Sequence, residues 1–95
     1  MIFEWDELKN LANKQKHGIP FEEAQTVFND ENAIYLYDDD HSTDEERFFI
    51  IGVDTVLRKL TVCHCYRGKD CNIVRIISAR EATKQEAKLY EEGLV

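Results

Sequence analysis

Three arginines, Arg67, Arg75 and Arg80, are spaced through "RGKDCNIVRIISAR" at residues 67–80, with Lys69 and Lys84 close by in sequence. A guanidinium stays charged at every accessible pH, and its fork matches the oxygens of phosphate or carboxylate. Such a cluster is either a set of edge residues paired with carboxylates or an anion site. Along a strand, Arg75 shares a face with Ile73 and Ile77, so a charge interrupts an apolar stripe and needs a partner or a cleft. Arg80 falls on the opposite face of a regular strand, or at its end where the chain turns.

If the anion is RNA, cleavage needs a base for the 2′-hydroxyl, a proton donor for the 5′-oxygen and cations for the pentacovalent intermediate. The arginines suit the last role. His64, on the strand that precedes Arg67, is the titratable candidate for the first two. Its alternative is a structural histidine bonded within the sheet. Tyr66 and Tyr90 read as packing residues. His17, just before Gly18, suits a helix C-terminus, where cation and dipole agree.

Cys63, His64, Cys65 and Cys71 raise the question of zinc. Structural sites pair their ligands across turns, however, and on a strand Cys63 and Cys65 share a face while His64 points away. Reduced cysteines packed in a sheet are the expectation, with no metal and no cofactor. The acidic stretch "DDDHSTDEE" lacks the glycine and closing glutamate of a calcium loop and reads as solvated. A basic protein partner could also find it attractive.

The elements that must position these residues follow from periodicity. "IFEW" is a short first strand. Asp6 caps a helix, "DELKNLANKQKHG", that ends at Gly18, with Leu8, Leu11, Ala12 and Gln15 at helical spacing and Lys9, Lys14 and Lys16 off that stripe. Pro20 can open a second helix, "PFEEAQTVFND", whose buried stripe is Phe21, Ala24, Val27 and Phe28. "AIYLY", "RFFIIGVDT", "KLTVCHCYR" and "NIVRIISAR" are strands, the last three joined by turns short enough for antiparallel hairpins. Thr83 and Glu86 form a capping box for a final helix, "KQEAKLYEE". The expected fold is α+β, an antiparallel sheet with an N-terminal αα-hairpin and a C-terminal helix in the order β-α-α-β-β-β-β-α, one domain over residues 1–95.

Composition narrows the classes further. Charged residues at 33 % and hydrophobic ones at 43 % are ordinary for a globular domain. No apolar stretch is long enough for a bilayer, and no signal-peptide pattern opens the chain, so the cytoplasm is the expected compartment. Net charge is −7, with 13 acids against 3 bases in residues 1–46 and 6 against 9 in residues 47–95. Overall acidity argues against a large nucleic-acid footprint but leaves room for a small cationic site.

"FEWDELKNLANKQKHGIPFEEAQTVFND", "DDDHSTDEERFFIIG" and "VRIISAREATKQEAKLYEE" together resemble the BrnT family of toxins from bacterial toxin–antitoxin pairs, in order and over Phe3 to Glu92. The most specific pieces are Lys16-His17-Gly18 with Phe21-Glu22-Glu23-Ala24, Glu45-Glu46-Arg47-Phe48, and Arg75-Ile76-Ile77-Ser78-Ala79-Arg80. The resemblance implies a RelE-like fold, metal-independent endoribonuclease activity that blocks translation, and a cognate BrnA-like ribbon-helix-helix antitoxin. Operator DNA would be met only through that antitoxin. By position, Arg67, Arg75, Arg80 and His64 become the catalytic candidates, and Lys16, His17, Lys69 and Lys84 the RNA-binding ones. A non-catalytic module of the same fold, whose cations hold an acidic partner segment, is the alternative. Two departures stand out: Pro20 replaces the small hydroxyl residue often found there, and the chain is acidic where such toxins are often basic.

Overall fold

The computed structural model describes residues 1–42 and 45–93. The order is β1 (Ile2–Glu4), α1 (Glu7–His17), α2 (Phe21–Ala24), a 3₁₀ helix (Gln25–Asn29), β2 (Ile34–Tyr37), β3 (Phe48–Val53), β4 (Lys59–Arg67), β5 (Ile73–Glu81) and α3 (Lys84–Glu92). The strands form one sheet in the order β1-β5-β4-β3-β2. Three of the four neighbouring pairs are antiparallel as expected, but β1 runs parallel to β5. The sheet is therefore mixed. The helices between β1 and the rest of the sheet allow the chain to return in that direction, which no hairpin could do.

Local chemistry explains the ends of the elements. The Asp6 carboxylate accepts from the Leu8 and Lys9 N–H groups, and Gly18 takes the left-handed conformation that closes α1. Pro20 stands just before α2 in extended geometry, and α2 makes only one turn before tightening into the 3₁₀ helix. One expected helix is thus two short pieces. Thr83 and Glu86 form the reciprocal capping box of α3.

The core lies on one face of the sheet. Ile19, Phe21, Ala24 and Val27 meet Ile50, Leu60, Val62, Val74, Ile76 and Ala79 there. Gly52 admits this layer closely: a Cβ on it would stand 2.9 Å from Val27 Cγ1 and 3.1 Å from the Ala33 Cβ. On the other face, Glu86 of α3 receives Thr61 and Arg80, while Tyr90 of the same helix donates to Asp30, beside Gly52 and Val27 on the core side, at 2.7 Å.

The inward side of α1 inverts the apolar stripe. Leu8 and Leu11 are exposed, whereas Asn10 and Asn13 are buried. Asn13 donates to the carbonyls of Ile19 and Ala79 and accepts from the Ala79 N–H, and Asn10 accepts from Phe21 N–H while donating to Glu22. β1 pairs only with the first three residues of β5. Beyond them the edge of β5 has no strand neighbour among the described residues, and an asparagine meets its backbone where a leucine could not.

Candidate functional site

Pairing between β4 and β5 decides where the arginines go. Cys65 opposes Arg75, His64 opposes Ile76, Cys63 opposes Ser78 and Thr61 opposes Arg80, so the register passes over Ile77. This is a β-bulge. In a regular strand, residues five apart face opposite ways. The extra residue changes the parity, and directly opposed residues share a face, so Arg75 and Arg80 lie on the same side as Thr61, Cys63, Cys65 and Arg67. At about 3.3 Å of rise per residue, the row from Arg67 to the level of Arg80 is roughly 20 Å long at the backbone. It is a track, not a point.

Each arginine of the row rests against a carboxylate. Arg67 pairs with Glu45 at 3.1 Å, and Arg75 with Glu4 at 2.8 Å. Arg80 meets both oxygens of Glu86, at 2.6 and 3.0 Å. Glu4 and Arg75 are also partners across the parallel β1–β5 pair, so the sheet brings them together. Burial alone would raise the Glu86 pKa. The Arg80 guanidinium, the Thr83 N–H and the Thr61 hydroxyl outweigh it and hold that carboxyl down at about 2.

The middle of the row is the bulge itself. Ile77 and Ser78 floor two adjoining grooves. Lys9, Ala12, Asn13, Lys16 and His17 of α1 border one of about 230 Å³. Asp38, His41, Arg47, Phe49 and Cys63 border the other, about 160 Å³. The bulge therefore links Lys16 and His17 at one side to Arg47 and His41 at the other, across the line of arginines. Lys69 is exposed in the β4–β5 turn and Lys84 in the first turn of α3, at opposite ends of the two strands. Neither lines these grooves.

His64 does not join the arginines. It is fully buried on the core face, with its ring edge-on to Phe28, Tyr35 and Tyr66 and tilted against Phe48. Nδ1 lies 3.1 Å from the Val62 carbonyl and Nε2 3.3 Å from the Tyr66 hydroxyl. Burial lowers its pKa, and the Val62 bond only partly offsets this. Cys63, on the other face, has its thiol pushed up to about 11, first by burial and then by the charge of Asp38. It stays protonated at neutral pH. Among the described residues, no group of three or more His, Cys, Asp or Glu could hold a metal ion.

The acidic loop is solvated as expected at Asp39, Asp40, His41 and Glu46, but not at its first residue. Asp38 is buried, and its N–H donates to the Arg47 carbonyl at 2.9 Å. The Ser42 hydroxyl donates to the Asp38 carbonyl at 2.6 Å and accepts from the Arg47 N–H at 2.9 Å. These bonds close the neck of the loop and fix His41 and Arg47 beside the bulge. Sequence reasoning passed over both residues. The one local signal was the Asp38–His41 spacing within a run of like charges; Thr43 and Asp44 of the same loop lie outside the described residues.

Comparisons with known proteins agree with this architecture. Residues 5–86 match a family model described as the ribonuclease toxin BrnT of type II toxin–antitoxin systems. Among solved structures, the chain is similar to the Brucella abortus ribonuclease toxin BrnT. The TM-score is 0.66 and the identity 23 %, over 88 % of this chain and 100 % of that one. No curated protein matches.

Proposed function

This chain belongs to the BrnT family of type II ribonuclease toxins, and we propose that it is a metal-independent endoribonuclease that stops translation by cutting RNA. The observation that carries this reading is the bulge at Ile77. It aligns Arg67, Arg75 and Arg80 on one face, with Lys16, His17 and Arg47 beside the centre of the row. A single-stranded phosphodiester backbone fits such a track: its charges repeat along a line, and each guanidinium can exchange a carboxylate for a phosphate. In this reading the arginines hold the scissile and flanking phosphates and neutralise the intermediate, Lys16 and His17 steady the strand, and Lys69 and Lys84 extend its path. His64 remains a core residue that shapes the sheet from behind.

The same reading gives the toxin a RelE-like fold, a cytoplasmic setting and a BrnA-like ribbon-helix-helix antitoxin, through which alone it would meet operator DNA. An antitoxin that neutralises a row of arginines must cover it or present competing carboxylates.

The test is incubation of purified protein with total RNA, wild type beside Arg75→Ala and Arg80→Ala, in the presence of a chelator. Cleavage by the wild type and a loss of 10²-fold or more in both variants is expected, about what removal of a transition-state charge donor does. Intact RNA with a folded wild type, or undiminished cleavage by both variants, would overturn the assignment. So would cleavage that stops when the chelator is added.

A further inference from the structure

Among the described residues, His41 is the one histidine that combines an exposed ring with a buried carboxylate behind it. Its Nδ1 lies 3.1 Å from each oxygen of Asp38. The His41 side chain is 65 % exposed and that of Asp38 only 6 %. Asp38 is fixed at the end of β2 by its backbone bond to Arg47, and Ser42 ties the following residues to the same two positions. An Nδ1–H donated to a carboxylate defines the tautomer, leaving the Nε2 lone pair pointing away from Asp38. Among the described residues nothing hydrogen-bonds to that nitrogen. The ring borders the groove floored by Ile77 and Ser78, at the midpoint of the arginine row, with Arg47 as neighbour. By contrast, both ring nitrogens of His64 are engaged inside the core.

We infer that His41 is the general base of the cleavage reaction and that Asp38 is its positioning residue, an assignment that rests on the endoribonuclease reading above. Nε2 takes the proton of a ribose 2′-hydroxyl held over the bulge. The 2′-oxygen then bonds to the adjacent phosphorus, and the P–O5′ bond breaks with its electron pair leaving on the 5′-oxygen. That oxygen takes a proton from water, and the imidazolium returns its own proton to water. The products are a 2′,3′-cyclic phosphate and a 5′-hydroxyl, with no net change in protons. Arg47 stands where it can hold the phosphate against the attacking oxygen.

The experiment uses a fluorescently labelled single-stranded oligoribonucleotide and the same oligomer with 2′-O-methyl sugars. Wild type should cleave only the first. His41→Gly should lose about 10²-fold or more in kcat with KM little changed, and added imidazole should restore part of the loss, because it supplies the missing base to the vacated space. Asp38→Asn should lower kcat without imidazole rescue, since the ring remains but its tautomer is no longer enforced. Circular dichroism confirms that both variants fold. Wild type that cleaves beside an equally active His41→Gly overturns the inference alone, as does a loss confined to KM or one that imidazole leaves untouched. Wild type that leaves the oligomer intact overturns the endoribonuclease reading, and the role of His41 with it.

Discussion

Glu86 serves two structures at once: it closes the capping box of α3, and it meets the Arg80 guanidinium with both oxygens. Its folded-state pKa, about 2, lies below the ordinary 4.5. The unfolded chain therefore binds this proton more readily, so the stabilisation is fully present above pH 4.5 and disappears as pH falls through 2. With Arg80 partly open to solvent, the contribution is on the order of 2 kcal/mol. Urea unfolding between pH 6 and pH 2 should show that loss, and Glu86→Gln should start less stable and show a flatter profile over the same range. His64 adds to acid sensitivity for a different reason. Its pKa is lowered by burial, so the unfolded state takes up a proton first as pH drops below 6.5. His64→Ala should cost about 2–4 kcal/mol, since it empties an aromatic-walled site and removes the imidazole's hydrogen bond to the Val62 carbonyl. A variant as stable as wild type would show that the ring is not part of the core.

At the scale of elements, α1 illustrates what a sequence can hide. Leu8, Leu11 and Ala12 look like the buried stripe because burial is ordinarily driven by apolar area. Here the helix lies beside a strand edge that has lost its neighbour, and backbone polarity governs which side faces in. Asn13→Ala should therefore cost about 2–3 kcal/mol, by leaving the Ala79 N–H and two carbonyls unpaired, while Leu11→Gln should change stability by less than about 0.5 kcal/mol. Thermal melts of the two variants side by side check this reversal. The termini of α1 and α3 were legible because Asp6, Gly18, Thr83 and Glu86 act through their immediate neighbours. The arginine row was not. Its alignment depends on the bulge at Ile77, which arises from pairing between β4 and β5 and has no local marker such as glycine. The parallel placement of β1 likewise depends on contacts about seventy residues away in sequence.

At the scale of the molecule, the puzzle is how a chain of net charge −7 would hold a polyanion. Its acidic first half supplies Glu4 and Glu45 to Arg75 and Arg67, so two of the three guanidinium groups are neutralised from a distance in sequence. RNA must displace those carboxylates and approach against a repulsive field. Binding should therefore be weak and governed by the few cations along the track. Three to five phosphate contacts on a single strand give a slope of log K against log salt of about −2 to −3.5. Fluorescence anisotropy with a labelled oligoribonucleotide in which 2′-O-methyl sugars prevent turnover measures that slope directly. Glu45→Gln releases Arg67 and removes one negative charge beside the track; it should tighten binding severalfold and steepen the slope by about 0.7, one additional contact. An unchanged slope with tighter binding would mean that the charge of Glu45 acts only through the general field. Unchanged affinity would mean that Arg67 lies outside the path of the strand, shortening the track to Arg75, the bulge and Arg80.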